Sequence, residues 1–129
     1  MNLLLDTHAL LWAASGDARL TDAVRGRLAT APGRYVSAAS AYEIAMKTRL
    51  GKLRGGGALL DGWTRLLGDL QAEELPLTTA HMARAGALAW AHRDPFDRML
   101  VAQAQLEALT VVTDDRAIRE FDGVRSAWG

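Results

Sequence analysis

The segment Met1–Trp12, which reads MNLLLDTHALLW, begins with the pattern of a strand and continues with that of a helix. Asn2–Asp6 is a short apolar run that ends in a carboxylate, and such a continuous run is typical of a buried strand in a parallel sheet. The residues that follow predict a helix over Thr7–Ala14. Asp6 is therefore expected at the carboxyl end of a strand, where open parallel sheets form their binding sites.

Strands and helices also alternate along the rest of the chain. Leu109–Thr113 (LTVVT) is the clearest β-branched strand, and Pro95 suits the first turn of a helix that runs to Ala108. The other predicted elements are helices over Thr21–Ala29, Ala39–Leu50, Ala58–Leu70, Ala80–Trp90 and Asp115–Glu120, strands over Tyr35–Ser37 and Leu75–Leu77, an edge strand at Val124, a turn at Ser15–Asp17 and a flexible basic loop at Lys52–Gly57. This alternation predicts βαβ units and a mostly parallel sheet, formed by residues 1–129 as one α/β domain.

The composition excludes several classes of protein. The chain has 129 residues, half of them hydrophobic, which is enough for one core and argues against disorder. It has no cysteine, which excludes disulfides, thiolate catalysis and cysteine-bound metals. No apolar run reaches a membrane span or a signal peptide, so we expect a soluble, cytoplasmic protein. The net charge is zero, which argues against a protein that coats nucleic acid through bulk charge.

Acidic residues recur at or near the predicted ends of strands. Asp6 follows the first strand, and Asp114 and Asp115 follow LTVVT, whereas Glu43 and Asp97 lie one turn inside helices. Asp97 continues an apolar stripe rather than a solvent-facing surface, because the residues that share its helix face are Leu100, Val101, Ala104 and Ala108. We therefore expect the acidic side chains to converge.

Each acid also has a structural explanation. Asp6, and Asp114 or Asp115, could cap the helices that follow them, and Asp94 is typical of an N-cap. Glu43 and Lys47 form an i,i+4 pair, and Asp97 could stabilise a helix N-terminus through the helix dipole.

One shared function of these acids is nevertheless a simpler explanation than a separate structural role for each of the four. Converging carboxylates repel one another without a counter-cation, and oxygen ligands favour Mg²⁺ or Mn²⁺. The reaction that suits such a site is metal-assisted hydrolysis of a phosphodiester.

Other kinds of site lack their signatures. His8, His81 and His92 have no zinc-ligand spacing, and His8 is more typical of a helix surface. An aspartate-dependent phosphatase needs a second Asp at position 8, which is His here, and a signalling receiver domain needs a lysine after a late strand. We expect the tryptophans to lie in the core and at interfaces, with Trp128 packed on a partner.

Four segments, taken in order, resemble the PIN-domain family and, within it, the VapC-type toxins of bacterial toxin–antitoxin pairs. These segments are LLLDTHALLW, VSAASAYEIAMK, DPFDRMLVAQA and VVTDD, and the resemblance covers essentially the whole chain. It implies a three-layer α/β/α fold with a central, mostly parallel sheet of four to five strands. It also implies a Mg²⁺- or Mn²⁺-dependent endoribonuclease that forms a homodimer and is inhibited by a cognate antitoxin in a toxin–antitoxin hetero-oligomer.

The resemblance assigns the family's four acids to Asp6, Glu43, Asp97 and Asp115, which are the predicted catalytic and metal-binding residues. Thr7 matches the hydroxyl after the first acid, and Thr113 matches the threonine two residues before the fourth. Asp114 stands where the family often has Arg or Asn, and Asp94 is an extra acid common to this subgroup.

Basic side chains near these motifs are candidates for contacts with the RNA backbone, although solvated surface charge is an equally good explanation for each. The candidates are Lys47, Lys52, Arg54, Arg93 and Arg98. A catalytically silent relative, or a signalling metal-binding domain that acts through protein partners, is the alternative to a nuclease.

Overall fold

Leu3–Leu5 form β1, the central strand of the sheet in the computed structural model, which describes residues 1–129. The other strands are β2 (Arg34–Ser37), β3 (Glu73–Leu75), β4 (Thr110–Val112) and β5 (Ser126–Ala127). Their order in the sheet is β3-β2-β1-β4-β5, and every neighbouring pair is parallel. The predicted parallel α/β sheet is confirmed, with five strands.

Eight helices connect and cover the strands. They are α1 (Thr7–Ser15), α2 (Asp22–Thr30), α3 (Ala38–Arg49), α4 (Gly56–Asp61), α5 (Trp63–Asp69), α6 (Thr79–Ala87), α7 (Pro95–Glu107) and α8 (Arg116–Arg119). None of them combines the length and the apolar composition that crossing a membrane requires.

The alternating side chains of β1 divide the core between the two faces of the sheet. Leu4 packs in one cluster with Leu100 and Val101 of α7. Leu3 and Leu5 point the other way, into a cluster with residues of α1 and α2. Because both faces are covered, β1 is apolar throughout, and the predicted three-layer α/β/α arrangement is confirmed.

Several element boundaries differ from the prediction. The helix predicted over Ala58–Leu70 is two helices, α4 and α5, because Gly62 adopts a non-helical backbone between them. α4 also begins inside the loop predicted over Lys52–Gly57, since Gly56 is buried against Ile44 and Leu53. The third strand ends at Leu75 rather than at Leu77, because Pro76 follows and has no N–H for the ladder.

Two further differences have tertiary causes. The helix predicted over Ala80–Trp90 ends at Ala87, because the Arg98 guanidinium binds the carbonyl groups of the segment that follows. The edge strand lies at Ser126–Ala127, where it pairs with β4, whereas Val124 packs against the core.

Candidate metal and nucleic-acid site

Asp6 lies between β1 and α1, at the edge of the sheet that the carboxyl ends of the strands form. Its side chain is buried, with 6% of its surface exposed, and its Oδ1 accepts the N–H of Ala9 at 2.8 Å as the N-cap of α1. Burial raises the pKa of Asp6 above its usual range, while hydrogen bonds from the Thr113 hydroxyl and the Ala9 N–H partly offset this effect. No Lys, Arg or His side chain forms an ion pair with Asp6.

Asp97 lies in the first turn of α7, where Asp94 is the N-cap and Pro95 the first helical residue. Burial raises the pKa of Asp97 to about 6, the hydrogen bond from His92 lowers it, and the nearby charges of Asp94 and Asp115 raise it. His92 Nε2 lies 2.7 Å from Asp97 Oδ2. Asp94 uses its Oδ1 to accept the N–H groups of Phe96 and Asp97.

The two acids after β4 interact with different partners. Asp115 caps α8, where its Oδ1 accepts the N–H of Ala117 at 2.8 Å, and its charge acts on Asp97. Asp114 is exposed, and its charge acts on Asp6. Thr113 interacts with both Asp6 and Asp115. Its hydroxyl donates a hydrogen bond to Asp6 and accepts the N–H of Asp115 at 2.9 Å.

Glu43 is the predicted acid that takes no part in the interactions among Asp6, Asp97, Asp114 and Asp115. Its carboxylate pairs with Lys47 at 3.1 Å, as the i,i+4 spacing predicts, and no interaction joins it to Asp6 or Asp97. The start of α3 nevertheless lies beside Asp6, since the buried hydroxyls of Thr7 and Ser40 are 3.0 Å apart. Glu43 follows Ser40 by one turn of α3.

One set of three side chains offers ligand atoms that all lie within 4.8 Å of one another, namely His92, Asp94 and Asp97. The four acids assigned by resemblance do not form such a set. A donor set of carboxylates, one of them buried without a counter-charge, nevertheless has the chemistry that a hard divalent cation needs.

A basic cleft with a volume of about 560 Å³ runs beside this site. Lys47, Lys52 and Arg54 line it, together with Arg19 and His8. Three of the five basic residues predicted to contact RNA thus share one concave surface. Arg93 is exposed beside His92, and it does not line this cleft.

Arg98 has a structural role that argues against its prediction as a phosphate ligand. Its guanidinium donates four hydrogen bonds to backbone carbonyls, which belong to Ala85, Leu88, Trp90 and His92, at 2.7 to 2.9 Å. A guanidinium has five N–H donors, so one remains. Arg98 therefore fixes the backbone of the segment that connects α6 to α7.

Sequence reasoning missed the contact of His92 with Asp97. The spacing in HRDPFD, with a histidine five residues before the acid, was the available signal. The indole of Trp128 packs edge-on against Trp12 of the same chain at 5.8 Å, and its expected contact with a partner stays a prediction. His8 is exposed, as expected for a helix surface, but it also lines the basic cleft.

Comparison with known proteins gives one family match. Residues 3–124 match the family described as "PIN domain". No curated protein matches the sequence.

Several solved structures share the fold at low sequence identity. VapBC2 from Rickettsia felis bound to a promoter DNA fragment is 12% identical, with a TM-score of 0.70 and 98% of each chain covered. DNA-bound VapBC from Salmonella typhimurium is 19% identical, with a TM-score of 0.69 and coverage of 98% of this chain and 97% of that chain. FitAcB from Neisseria gonorrhoeae is also 19% identical, with a TM-score of 0.69 and coverage of 96% and 95%.

Proposed function

The chain belongs to the PIN-domain family, whose fold is typical of metal-dependent nucleases, and we propose that it is a Mg²⁺- or Mn²⁺-dependent endoribonuclease, the toxin of a toxin–antitoxin pair. The observation that carries this proposal is Asp6, a buried carboxylate with no ion pair at the carboxyl edge of the sheet. Burying an ionised carboxylate is costly unless a cation compensates it. A divalent ion supplies that compensation.

Asp6, Asp97 and Asp115 are the proposed metal ligands, with Glu43 as the fourth acid and Asp114 as the alternative to Asp115. When bound, a divalent ion would supply a water of lowered pKa and would neutralise charge that develops on the phosphodiester. The chain's own groups orient the ligands. Ala9 N–H fixes one oxygen of Asp6, and the Thr113 hydroxyl supports the same carboxylate.

The proposed path of the RNA backbone is the basic cleft. Lys52 and Arg54 are exposed there, and neither forms an ion pair that would compete with phosphate. Lys47 also lines the cleft, where it is paired with Glu43. Arg93, which is exposed and lies outside the cleft, stays a candidate for a contact with RNA. Arg98 is left out because four of its five donors bind backbone carbonyls.

Cleavage of an end-labelled single-stranded RNA tests the activity. We expect cleavage in Mg²⁺ or Mn²⁺, none in EDTA, and none with Asp6→Asn or Asp97→Asn. Asp69→Asn is the matched control, because Asp69 is exposed and forms no hydrogen bond or ion pair. Equal cleavage in EDTA would overturn the metal mechanism. A chain that binds Mn²⁺ but leaves every RNA intact would support the silent alternative.

The proposed protein partner is a small antitoxin that brings an Arg or Lys to the acids. One solved structure with this fold, from Klebsiella pneumoniae at 18% identity and a TM-score of 0.67, is a toxin–antitoxin complex. A basic side chain from a partner would give Asp6 the counter-charge that the chain itself does not provide. Co-expression with the neighbouring genes tests this partner. We expect one small product to co-purify and to stop RNA cleavage. A chain that cuts RNA but that no neighbouring product binds or inhibits would remove the toxin assignment and leave the nuclease.

We assign the proposed homodimer contact to an apolar groove between α3, α6 and α7. Eight of its nine lining residues are hydrophobic, and among them Tyr42 and Met82 are 66% and 45% exposed. Tyr42 also contacts the ring of Phe96. Exposed apolar area of this kind favours a protein contact. Light scattering of the wild type and of Tyr42→Glu tests it, with a dimer expected for the wild type and a shift to monomer for the variant.

A further inference from the structure

His8 and Trp12 of α1 form a row of aromatic and cationic side chains with Arg19 and Trp128. The imidazole of His8 stacks on the indole of Trp12, one turn further along the helix, with ring centroids 5.7 Å apart and an angle of 10° between the planes. The guanidinium of Arg19 lies 4.8 Å from the centroid of the same indole. Trp128 packs edge-on against it. Trp12 therefore contacts three neighbouring side chains, and its indole packs against one face of the His8 ring.

Arg19 is itself held in place. Asp17 accepts hydrogen bonds from Arg19 Nε at 3.1 Å and from Nη2 at 2.8 Å. This pairing lowers the pKa of Asp17 to about 2. The position of Arg19 over Trp12 follows from a local ion pair and needs no ligand.

His8 is the exposed end of this row, and it lies close to the proposed metal ligand Asp6. It follows Asp6 by two residues, and it is close enough for its charge to act on the Asp6 carboxyl. It also lines the cleft that Lys47, Lys52 and Arg54 share. An exposed flat ring thus stands where the basic cleft meets the acids.

Unpaired RNA bases are bound chiefly by stacking on aromatic side chains, because every base has a π face, whereas a base in a duplex is already stacked. We propose that His8, supported by Trp12, stacks the nucleobase next to the phosphate that is cleaved. This proposal rests on the proposed nuclease function and adds to it a contact with one unpaired base at the cleavage point, made by the His8 ring. Arg19 and the cleft cations would hold the backbone on either side.

An i,i+4 aromatic pair can also serve only to stabilise a helix. The two roles separate in a binding experiment, because a stacking ring must touch the base. His8→Ala removes the ring, whereas His8→Phe keeps a flat ring on Trp12. Thermal melting of each variant shows whether α1 and the fold are intact.

The experiment uses the full chain carrying Asp97→Asn, which the proposed function makes inactive, in Mg²⁺. The probe is a ten-nucleotide single-stranded RNA with 2-aminopurine at one position after another. We expect quenching of its fluorescence at one position, retention of that quenching in His8→Phe, and its loss in His8→Ala. Affinity should fall by about 5- to 150-fold in His8→Ala, as expected for one stacked base. A duplex of the same sequence should bind all three chains equally.

The outcomes separate the two proposals. If the unmutated chain cuts RNA and His8→Ala binds and quenches the probe as well as its parent, the stacking role is overturned and the nuclease stands. If His8→Phe is as weak as His8→Ala, a flat ring alone does not account for binding, and the proposal also fails. If the unmutated chain neither cuts nor binds RNA, both proposals fail together.

Discussion

The imidazole of His92 lies 2.7 Å from the carboxylate of Asp97, so an acid proposed as a metal ligand is hydrogen-bonded on one oxygen by a side chain five residues earlier. His92 is also held, because its ring packs against Trp90 at 4.8 Å and its carbonyl accepts a hydrogen bond from Arg98. Asp97 thus has a fixed orientation at the start of α7. Groups that orient a ligand in this way affect metal binding almost as strongly as the ligands themselves.

His92→Ala should therefore weaken metal binding without unfolding the chain. We expect the affinity for Mn²⁺, measured by isothermal titration calorimetry, to fall by about 10- to 100-fold, as is typical for a group that orients a ligand. His92→Gln, which can still donate a hydrogen bond to Asp97, should retain part of the affinity. Unchanged Mn²⁺ binding in His92→Ala would show that this contact does not serve the metal.

Arg98→Lys should destabilise the fold, although the charge is kept. A lysine has one ammonium group and cannot reach the four carbonyls that the guanidinium binds. We expect a loss of about 2–4 kcal/mol in the free energy of unfolding measured with urea, because hydrogen bonds to a charged group contribute about 1.5–3 kcal/mol each. Arg93→Lys is the control, since Arg93 is exposed and should change stability by less than about 0.5 kcal/mol. Equal stability of the two variants would argue against this role of Arg98.

Local patterns were sufficient to predict most of the frame around the site. The apolar run of β1 and the capped start of α7 depend on neighbouring residues, and both were predicted within one or two residues. The end of α6 was not predictable in this way, because Arg98 determines it from the next helix. The contact of Trp128 with Trp12 joins opposite ends of the chain, and no local pattern encodes it.

The candidate site shows the same division. Asp6 and Asp115 were correctly predicted to follow strands, because a strand and the residues directly after it form one short stretch of sequence. It did not indicate that Asp114 acts on Asp6 while Asp115 acts on Asp97, since those pairings depend on how β1 and β4 lie side by side.

Lys52 and Arg54 offer a test of the basic cleft. The double variant Lys52→Ala, Arg54→Ala should bind single-stranded RNA more weakly, and the slope of log affinity against log salt should become shallower by about 1.4, since each phosphate contact contributes about 0.7. Arg27→Ala, Arg125→Ala is the matched control, because it removes the same charge from exposed positions outside the cleft. If both double variants change the slope equally, the effect comes from net charge and not from the cleft.

Gly56 and Gly57 begin α4, which carries one wall of the cleft, and they should respond oppositely to alanine. A Cβ on Gly56 would collide with the hydroxyl of Thr48, whereas a Cβ on Gly57 meets nothing within 4 Å. We expect Gly56→Ala to lower the melting temperature. Gly57→Ala should stabilise by roughly 0.5–1 kcal/mol, because alanine favours a helix over glycine. A stabilising Gly56→Ala would mean that Thr48 moves aside at little cost.

Asp97 links stability to pH and to metal. Folding raises its pKa from 3.8 to about 6, mainly through burial, so the folded state disfavours the ionised carboxylate. The sign of the effect follows from proton linkage. The cost is absent below about pH 4, grows between pH 4 and 6, and is complete above about pH 6, which means that Asp97 lowers stability as the pH rises through this range.

Asp97→Asn should therefore melt higher than the wild type in EDTA at pH 7.5, and the difference should disappear near pH 4. Added Mg²⁺ should shrink or reverse the difference, because binding stabilises only the intact site. If Asp97 served only the helix dipole, its loss would instead cost roughly 0.3–1 kcal/mol at pH 7.5 with or without metal. Asp22→Asn is the control for a helix-dipole effect alone, since Asp22 is an exposed acid in the first turn of α2. It should lower stability equally with and without metal. An Asp97→Asn chain that is less stable in EDTA and still cuts RNA would assign Asp97 to the helix alone.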